Sequence, residues 1–272
     1  MVYYFPLSAD KLRLGMNNNY SFYLGGHDLE MLEIKRMLQD QGYIEGVNLF
    51  DRNLEWHNAY LSAYSDDILR ERINVGIELK EDIKPPPYYI SIDHHNERID
   101  EPSSIEQVAE LLATPLNRKQ LLIAANDKGH IPAMQSMGAS EEEILEIRLQ
   151  DRIAQGVTQE HEEEAKRAIA NQIVVDGIAV IKTQSDKFSP IADRMYQKNH
   201  LLIYSDKELT YYGTARDLLA NAFSDLISAQ KAYYGGAQNG FFGIGKGNFS
   251  PLEIEKLKTE IINHITSQNA LS

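Results

Sequence analysis

The sequence predicts an α/β protein: a parallel-sheet domain, then a helical connector, then a smaller α/β domain. Three observations carry this. The stretch NYSFYLGGHDLEMLEIKRMLQDQG reads as strand, glycine turn and helix. Two further short apolar runs, INVGIEL and YYISI, follow with helical or turn sequence between them, and such alternation favours a mostly parallel sheet with helices on both faces. Two charged helical segments then give way to a second set of β runs. The expected boundaries are 16–139 for the first domain, 140–171 for the connector and 172–272 for the second domain.

In the first segment the apolar run ends at Leu24, Gly25-Gly26 turns the chain, and Met31, Leu32, Lys35 and Leu38 recur at helical spacing before Gly42 closes the helix. A second helix is expected over much of 53–69, with strands at INVGIEL and, after the Pro85-Pro86-Pro87 turn, at YYISI. Beyond Asp127 the sequence turns helical. Ser140 and Glu143 have the spacing of a capping box, and TQEHEEEAKRAIAN continues the charged pattern. From Ile173 the runs IVVDGIAVI, HLLIYS and LTYYG return to β character. The opening MVYYFPLSADKLRLG is assigned no function, and Met16 is a second candidate start.

Composition narrows the chemistry. With 272 residues, 43% hydrophobic and 25% charged, the chain is of ordinary globular type. Its longest apolar stretches, LLIAA and IAVI, fall far short of the roughly 20 residues of a spanning helix, so no membrane role is expected. The absence of cysteine excludes disulfides, thiolate metal sites and cysteine nucleophiles. With no signal-peptide pattern at the start, a cytoplasmic location is the expectation. Lys+Arg 27 against Asp+Glu 40 gives a net charge of −13, which opposes binding to long duplex DNA because counterion release needs clustered cations.

Ligands of open parallel sheets collect beyond the carboxyl ends of the strands. Acids and imidazoles gather at those places here: Asp28 and Glu30 after the first strand, Glu78 ending INVGIE, Asp93, His94 and His95 ending YYISID, and Asp127 in LLIAANDKGH. Adjacent residues on an extended backbone point to opposite faces, so His94 and His95 are expected to serve different purposes. A carboxylate-rich cluster needs cations to offset its repulsion, and oxygen with imidazole nitrogen suits Mn²⁺ or Mg²⁺ better than structural zinc. Taken singly the features are commonplace. A strand-end aspartate is most often a turn or helix cap, Arg216 alone reads as a surface ion-pair partner, and a glycine-rich loop as a flexible turn. His57, His161 and His200 read as surface or packing histidines, His130 as a candidate lining residue, and Glu141–Glu143 as a solvated helix start.

In this order and spacing the residues resemble the DHH phosphoesterases, which include RecJ-type exonucleases, nanoRNases, cyclic-dinucleotide phosphodiesterases and manganese pyrophosphatases. The motif Asp93-His94-His95 is intact. Asp28-Leu29-Glu30 resembles the family's first motif, Glu78 its second, and Asp127-Lys128-Gly129 its fourth. In the second half, Arg216, a helix and Gly235-Gly236 resemble the DHH-associated domain, so the likeness covers about residues 18–250. Three positions depart: Gly26 stands where the first motif has a histidine, Glu30 and Glu78 replace aspartates, and Ala237 or Gln238 replaces a histidine common in the glycine loop.

The resemblance implies two metal ions about 3.5–4 Å apart that generate hydroxide near neutral pH. Glu78 would bridge them, with Asp28, Glu30, His94 and Asp127 as further ligands. His95 would contact a phosphate oxygen or the leaving group while Asp93 orients the pair. Arg216, Gly235, Gly236 and Gln238 would bind the substrate's terminal phosphate, a domain cleft limiting its length. The implied function is metal-dependent hydrolysis of phosphodiester bonds in short oligonucleotides or small nucleotides and dinucleotides. The alternatives are a pyrophosphatase or polyphosphatase, or a degenerate member that binds a nucleotide without turnover. A second copy of the chain is a further candidate partner.

Overall fold

The structure is a computed structural model that describes residues 20–43, 54, 58–236 and 240–269. It is an α/β protein of two compact units, residues 1–128 and 129–272. The opening segment with Met16, the histidine at 57 and Gln238 lie outside the described residues.

The first unit holds a three-stranded parallel sheet in the order β1 (Tyr20–Leu24), β2 (Ile73–Ile77), β3 (Tyr89–Ile92). β1 and β2 are buried over four of their five residues, as near-continuous apolar strands of a two-faced sheet should be. Phe22, Leu24, Val75, Ile77 and Ile92 pack on one face against Met31, Ile34 and Leu38 of helix α1 (Leu29–Asp40), with Ile105 and Val108 of α2 (Ser104–Leu111) in the same core. The other face seats Tyr23 among Leu61, Tyr64 and Leu79.

Two expectations about this unit are corrected. Within 58–69 of the helix expected over 53–69, the longest helical element among the described residues is a 3₁₀ turn, Leu61–Tyr64. Here the backbone bonds sideways: Leu61 N–H donates to Lys80 C=O and Lys80 N–H to Ala59 C=O, so those groups are spent before i→i−4 bonds can form. LLIAANDKGH is no strand end either. It lies in helix α3 (Arg118–Ser136), which kinks at Gly129 and His130. A short apolar run fits a buried helix as well as a strand, and here the helix wins.

The second unit carries α4 (Glu141–Ala154) and α5 (Gln159–Ala170), then a six-stranded mixed sheet. The Ser140–Glu143 capping box forms, Ser140 Oγ accepting from Glu143 N–H at 3.2 Å and Glu143 Oε2 from Ser140 N–H at 2.8 Å. The sheet runs β4 (Ile173–Val175), β5 (Ile178–Lys182), β6 (His200–Tyr204), β7 (Leu209–Gly213), β9 (Phe241–Ile244), β8 (Ala232–Gly235), and only β5 and β6 pair in parallel. One face packs on α7 (Arg216–Ala222) and α9 (Pro251–Asn269), the other on α5 and α6 (Ser189–Arg194). A short helix α8 (Ser224–Ser228) precedes β8.

The charged helix α4 buries Ile144 and Ile147 together with part of its charged surface. It buries Arg148, Asp151 and Arg152 and exposes Leu145, Leu149 and Ile153. The buried arginines converge on Asp193 of α6: Arg148 donates through Nε at 3.1 Å and Nη2 at 3.0 Å, and Arg152 Nη1 also reaches it. A carboxylate that satisfies two arginines makes their burial affordable. His130, a candidate lining residue by sequence, stands 3.2 Å from this same carboxylate. His200 packs as expected, its Nδ1 2.6 Å from Tyr211 Oη.

Candidate metal centre

Four side chains of the first unit meet. Glu30 comes from the first turn of α1, Glu78 from the residue after β2, His94 from the exit of β3 and Asp127 from α3, and one ligand atom of each lies within 4.8 Å of the others. Glu78, His94 and His95 form a second, overlapping set within the same limit.

Local chain geometry delivers each group. A Cβ on Gly25 would stand 2.4 Å from the carbonyl oxygens of both Ile77 and Glu78, so only glycine lets the exit of β1 press against the exit of β2. Glu78 itself sits at φ 55°, a left-handed conformation that costs about 1 kcal/mol or more in a residue with a Cβ. The amino end of α2 then meets both glutamates. Ser104 Oγ donates to Glu78 Oε1 at 2.8 Å, and Ile105 N–H donates to Glu30 Oε1 at 2.9 Å. Sequence reasoning missed Ser104. Its signal was the capping box of PSSIEQ, which forms here: Ser103 Oγ accepts from Glu106 N–H at 3.4 Å, and Glu106 Oε2 accepts from Ser103 N–H at 2.9 Å.

His94 Nε2 lies 2.5 Å from Asp127 Oδ2, 3.7 Å from Glu78 Oε1 and 3.8 Å from Glu30 Oε2. Nevertheless Glu30 Oε2, His94 Nε2 and Asp127 Oδ2 are all buried without an aligned hydrogen bond. Buried polar atoms are nearly always satisfied, so three orphans aimed at one another ask for a shared partner. Two buried carboxylates, an aspartate and an imidazole, with no sulfur, fit a divalent cation of the Mn²⁺ or Mg²⁺ type.

The electrostatics agree. Burial, reinforced by Asp127, pushes the Glu30 carboxyl well above the usual carboxylate range. Burial, reinforced by Glu30, does the same to Glu78. Burial works against a charged His94, but neighbouring Asp127 more than offsets it and raises the imidazole.

His95 is not on the far side of the backbone from His94, as extended geometry suggested. The two rings stand 4.4 Å apart, tilted by 35°. Period-two alternation holds only inside a strand, and β3 ends at Ile92. Asp93 Oδ1 instead grips both the backbone N–H and Nδ1 of His95, each at 2.9 Å, folding the ring back. That side-chain hydrogen bond raises the His95 imidazole. Burial alone would raise Asp93, but its bonds to His95 outweigh it and hold the carboxyl low.

Asp28, expected among the ligands, belongs to neither set. Its Oδ1 accepts from Met31 N–H at 2.8 Å and caps α1. Gly26 stands beside the cluster, a Cβ there falling 3.6 Å from Glu78 Oε2, while His27 is exposed. In the second unit Arg216 Nη1 donates to Gly236 C=O at 2.5 Å, and its Nη2 reaches Asp217 at 3.1 Å. Gly235 ends β8 and Gly236 follows at φ 81°.

No described helix is long and apolar enough to cross a membrane. No family model matches the chain, and no curated protein matches it. Among solved structures it is similar to PggH, a pGpG-specific phosphodiesterase from Vibrio cholerae, at 11% identity and a TM-score of 0.48 over 92% of this chain and 99% of that one, a likeness too low to carry a functional argument.

Proposed function

We propose that the chain is a metal-dependent phosphoesterase that hydrolyses phosphodiester bonds of short oligonucleotides or dinucleotides. One observation carries the reading: Glu30, Glu78, His94 and Asp127 converge in a buried cluster with three unpartnered ligand atoms. The intact Asp93-His94-His95 motif and its resemblance to the DHH phosphoesterases supply the reaction class.

Bound Mn²⁺ or Mg²⁺ would supply an activated water and neutralise phosphate charge. Glu30, His94 and Asp127 would hold it through Oε2, Nε2 and Oδ2, and Glu78, whose Oε1 accepts from Ser104 Oγ, would join them. A second, adjacent ion is what the family resemblance implies. His95, held through Nδ1 by Asp93, is the candidate contact for a phosphate oxygen or the leaving group. Arg216 and the Gly235-Gly236 turn are the candidate anchor for a terminal phosphate, Gln238 completing the set. A net charge of −13 disfavours long strands.

The departures from the family's first motif, Gly26 in place of a histidine and Glu30 in place of an aspartate, favour a second reading: nucleotide binding without turnover. Mn²⁺-dependent hydrolysis of a dinucleotide panel and of pyrophosphate, with Asp127→Ala beside wild type, tests both. Phosphodiester cleavage lost in the variant supports the first. Binding without cleavage in either protein supports the second, and cleavage that survives the substitution removes this site from the chemistry.

A further inference from the structure

We propose that Tyr233 and Glu208 form a nucleobase subsite in the second unit, Tyr233 as a stacking platform and Glu208 as an acceptor that prefers guanine. The inference rests on the nucleotide reading above and adds to it the base that is recognised.

Side chains alternate along β8, and Ala232 enters the core with Phe242 and Ile244, so Tyr233 stands on the opposite sheet face from α7 and α9. It keeps 44% exposure there, yet its ring is fixed on three sides. A Cβ on Gly243 would fall 2.3 Å from Tyr233 Cζ, so the ring lies directly over bare glycine backbone. Phe241 meets it edge-on at 6.0 Å, and Tyr233 Oη stands 3.4 Å from Thr210 Oγ1. A flat ring locked on one side and open on the other loses little entropy when a base stacks on it.

The acceptor is adjacent. Thr210 and Tyr233 are both register partners of Gly243, and Glu208, whose C=O closes the turn before β7 by accepting from Ser205 N–H, is near enough for its carboxyl to add to burial in raising the Tyr233 phenol. Glu208 Oε1 is buried without a hydrogen-bond partner. An unpartnered carboxylate oxygen beside a stacking ring selects a base with neighbouring N–H donors, and guanine offers N1–H and its amino group together, whereas adenine offers the amino group alone. The strand leads directly into Gly235 and Gly236, where the Arg216 guanidinium is anchored, so base and phosphate contacts would follow one another along the chain.

The test is calorimetric binding of guanosine 5′-monophosphate, adenosine 5′-monophosphate and ribose 5-phosphate to the full chain in EDTA. Wild type should bind them in that order of affinity. Tyr233→Leu should weaken both nucleotides about tenfold and leave ribose 5-phosphate unchanged, while Tyr233→Phe, which keeps the ring, should bind as wild type. Glu208→Gln should remove the preference for guanine. Unaltered nucleotide affinity in Tyr233→Leu overturns the platform alone. Wild type that binds neither nucleotide overturns the platform and the nucleotide reading together, even if metal-dependent hydrolysis of pyrophosphate persists.

Discussion

Glu30→Gln should make the metal-free protein more stable and the manganese-loaded protein less so. Glu30 is 2% exposed, and its neighbours Glu78 and Asp127 are also acids. With a cation absent at pH 8, three carboxylates share one imidazole, and an uncompensated buried charge costs several kcal/mol. Glutamine keeps the volume and can still accept from Ile105 N–H, so it removes the charge without opening a cavity. Neutralisation should therefore stabilise the first unit by about 1–3 kcal/mol, or about 3–10 °C in Tm. The metal response should run the other way. Mn²⁺ at about 100 times its Kd stabilises a one-site protein by about 2.7 kcal/mol, and the variant, short of one anionic ligand, should lose most of that gain. Scanning calorimetry in EDTA and in MnCl₂ reads both effects. A variant that melts below wild type in EDTA and keeps the full manganese shift would refute the idea that this cluster is built for a cation.

Further expectations concern supporting residues. Ser104→Ala should weaken Mn²⁺ binding about tenfold by calorimetric titration and lower metal-free stability by about 1–3 kcal/mol, because it removes a fully buried donor that orients Glu78 and leaves the carboxylate oxygen unsatisfied. Gly25→Ala should destabilise the first unit by about 3 kcal/mol in urea titrations, since its methyl meets two carbonyl oxygens at 2.4 Å. In the second unit, the neighbouring His130, Arg148 and Arg152 overcome burial and lower the Asp193 carboxyl from 3.8 to about 2. A lowered carboxyl contributes stability above its unfolded value, here about 2.5 kcal/mol, and loses it as pH falls from about 4 towards 2. Asp193→Asn should remove that pH dependence and, by leaving two buried arginines unpaired, cost about 3–5 kcal/mol at neutral pH.

Local signals in the sequence were faithful where the chain obeys a local rule. β1, β2 and β3, the helix after Gly25-Gly26 and the Ser140 cap each follow from apolar periodicity or from a side chain three residues from a backbone donor. Errors arose where a distant segment took over. Over 58–64 the expected helix gave way to pairing with Lys80, and LLIAA was too short a run to say helix or strand. The burial of Arg148 and Arg152 on α4 was not legible in the sequence, because Asp193, some forty residues away, is what satisfies them.

For the site, the sequence by itself determined the ligand types: oxygen and imidazole, no sulfur, placed after the first three strands and on the apolar segment at Asp127. Only tertiary structure decided which of them meet. It gave Asp28 Oδ1 a helix-capping bond, brought His95 back against His94, and recruited Ser104 and the Ile105 amide to hold the two glutamates. The physical reason is that side-chain chemistry is fixed residue by residue, whereas the ångströms between two groups depend on strand register, on the close approach that Gly25 permits and on where α2 begins, which no single stretch of sequence contains.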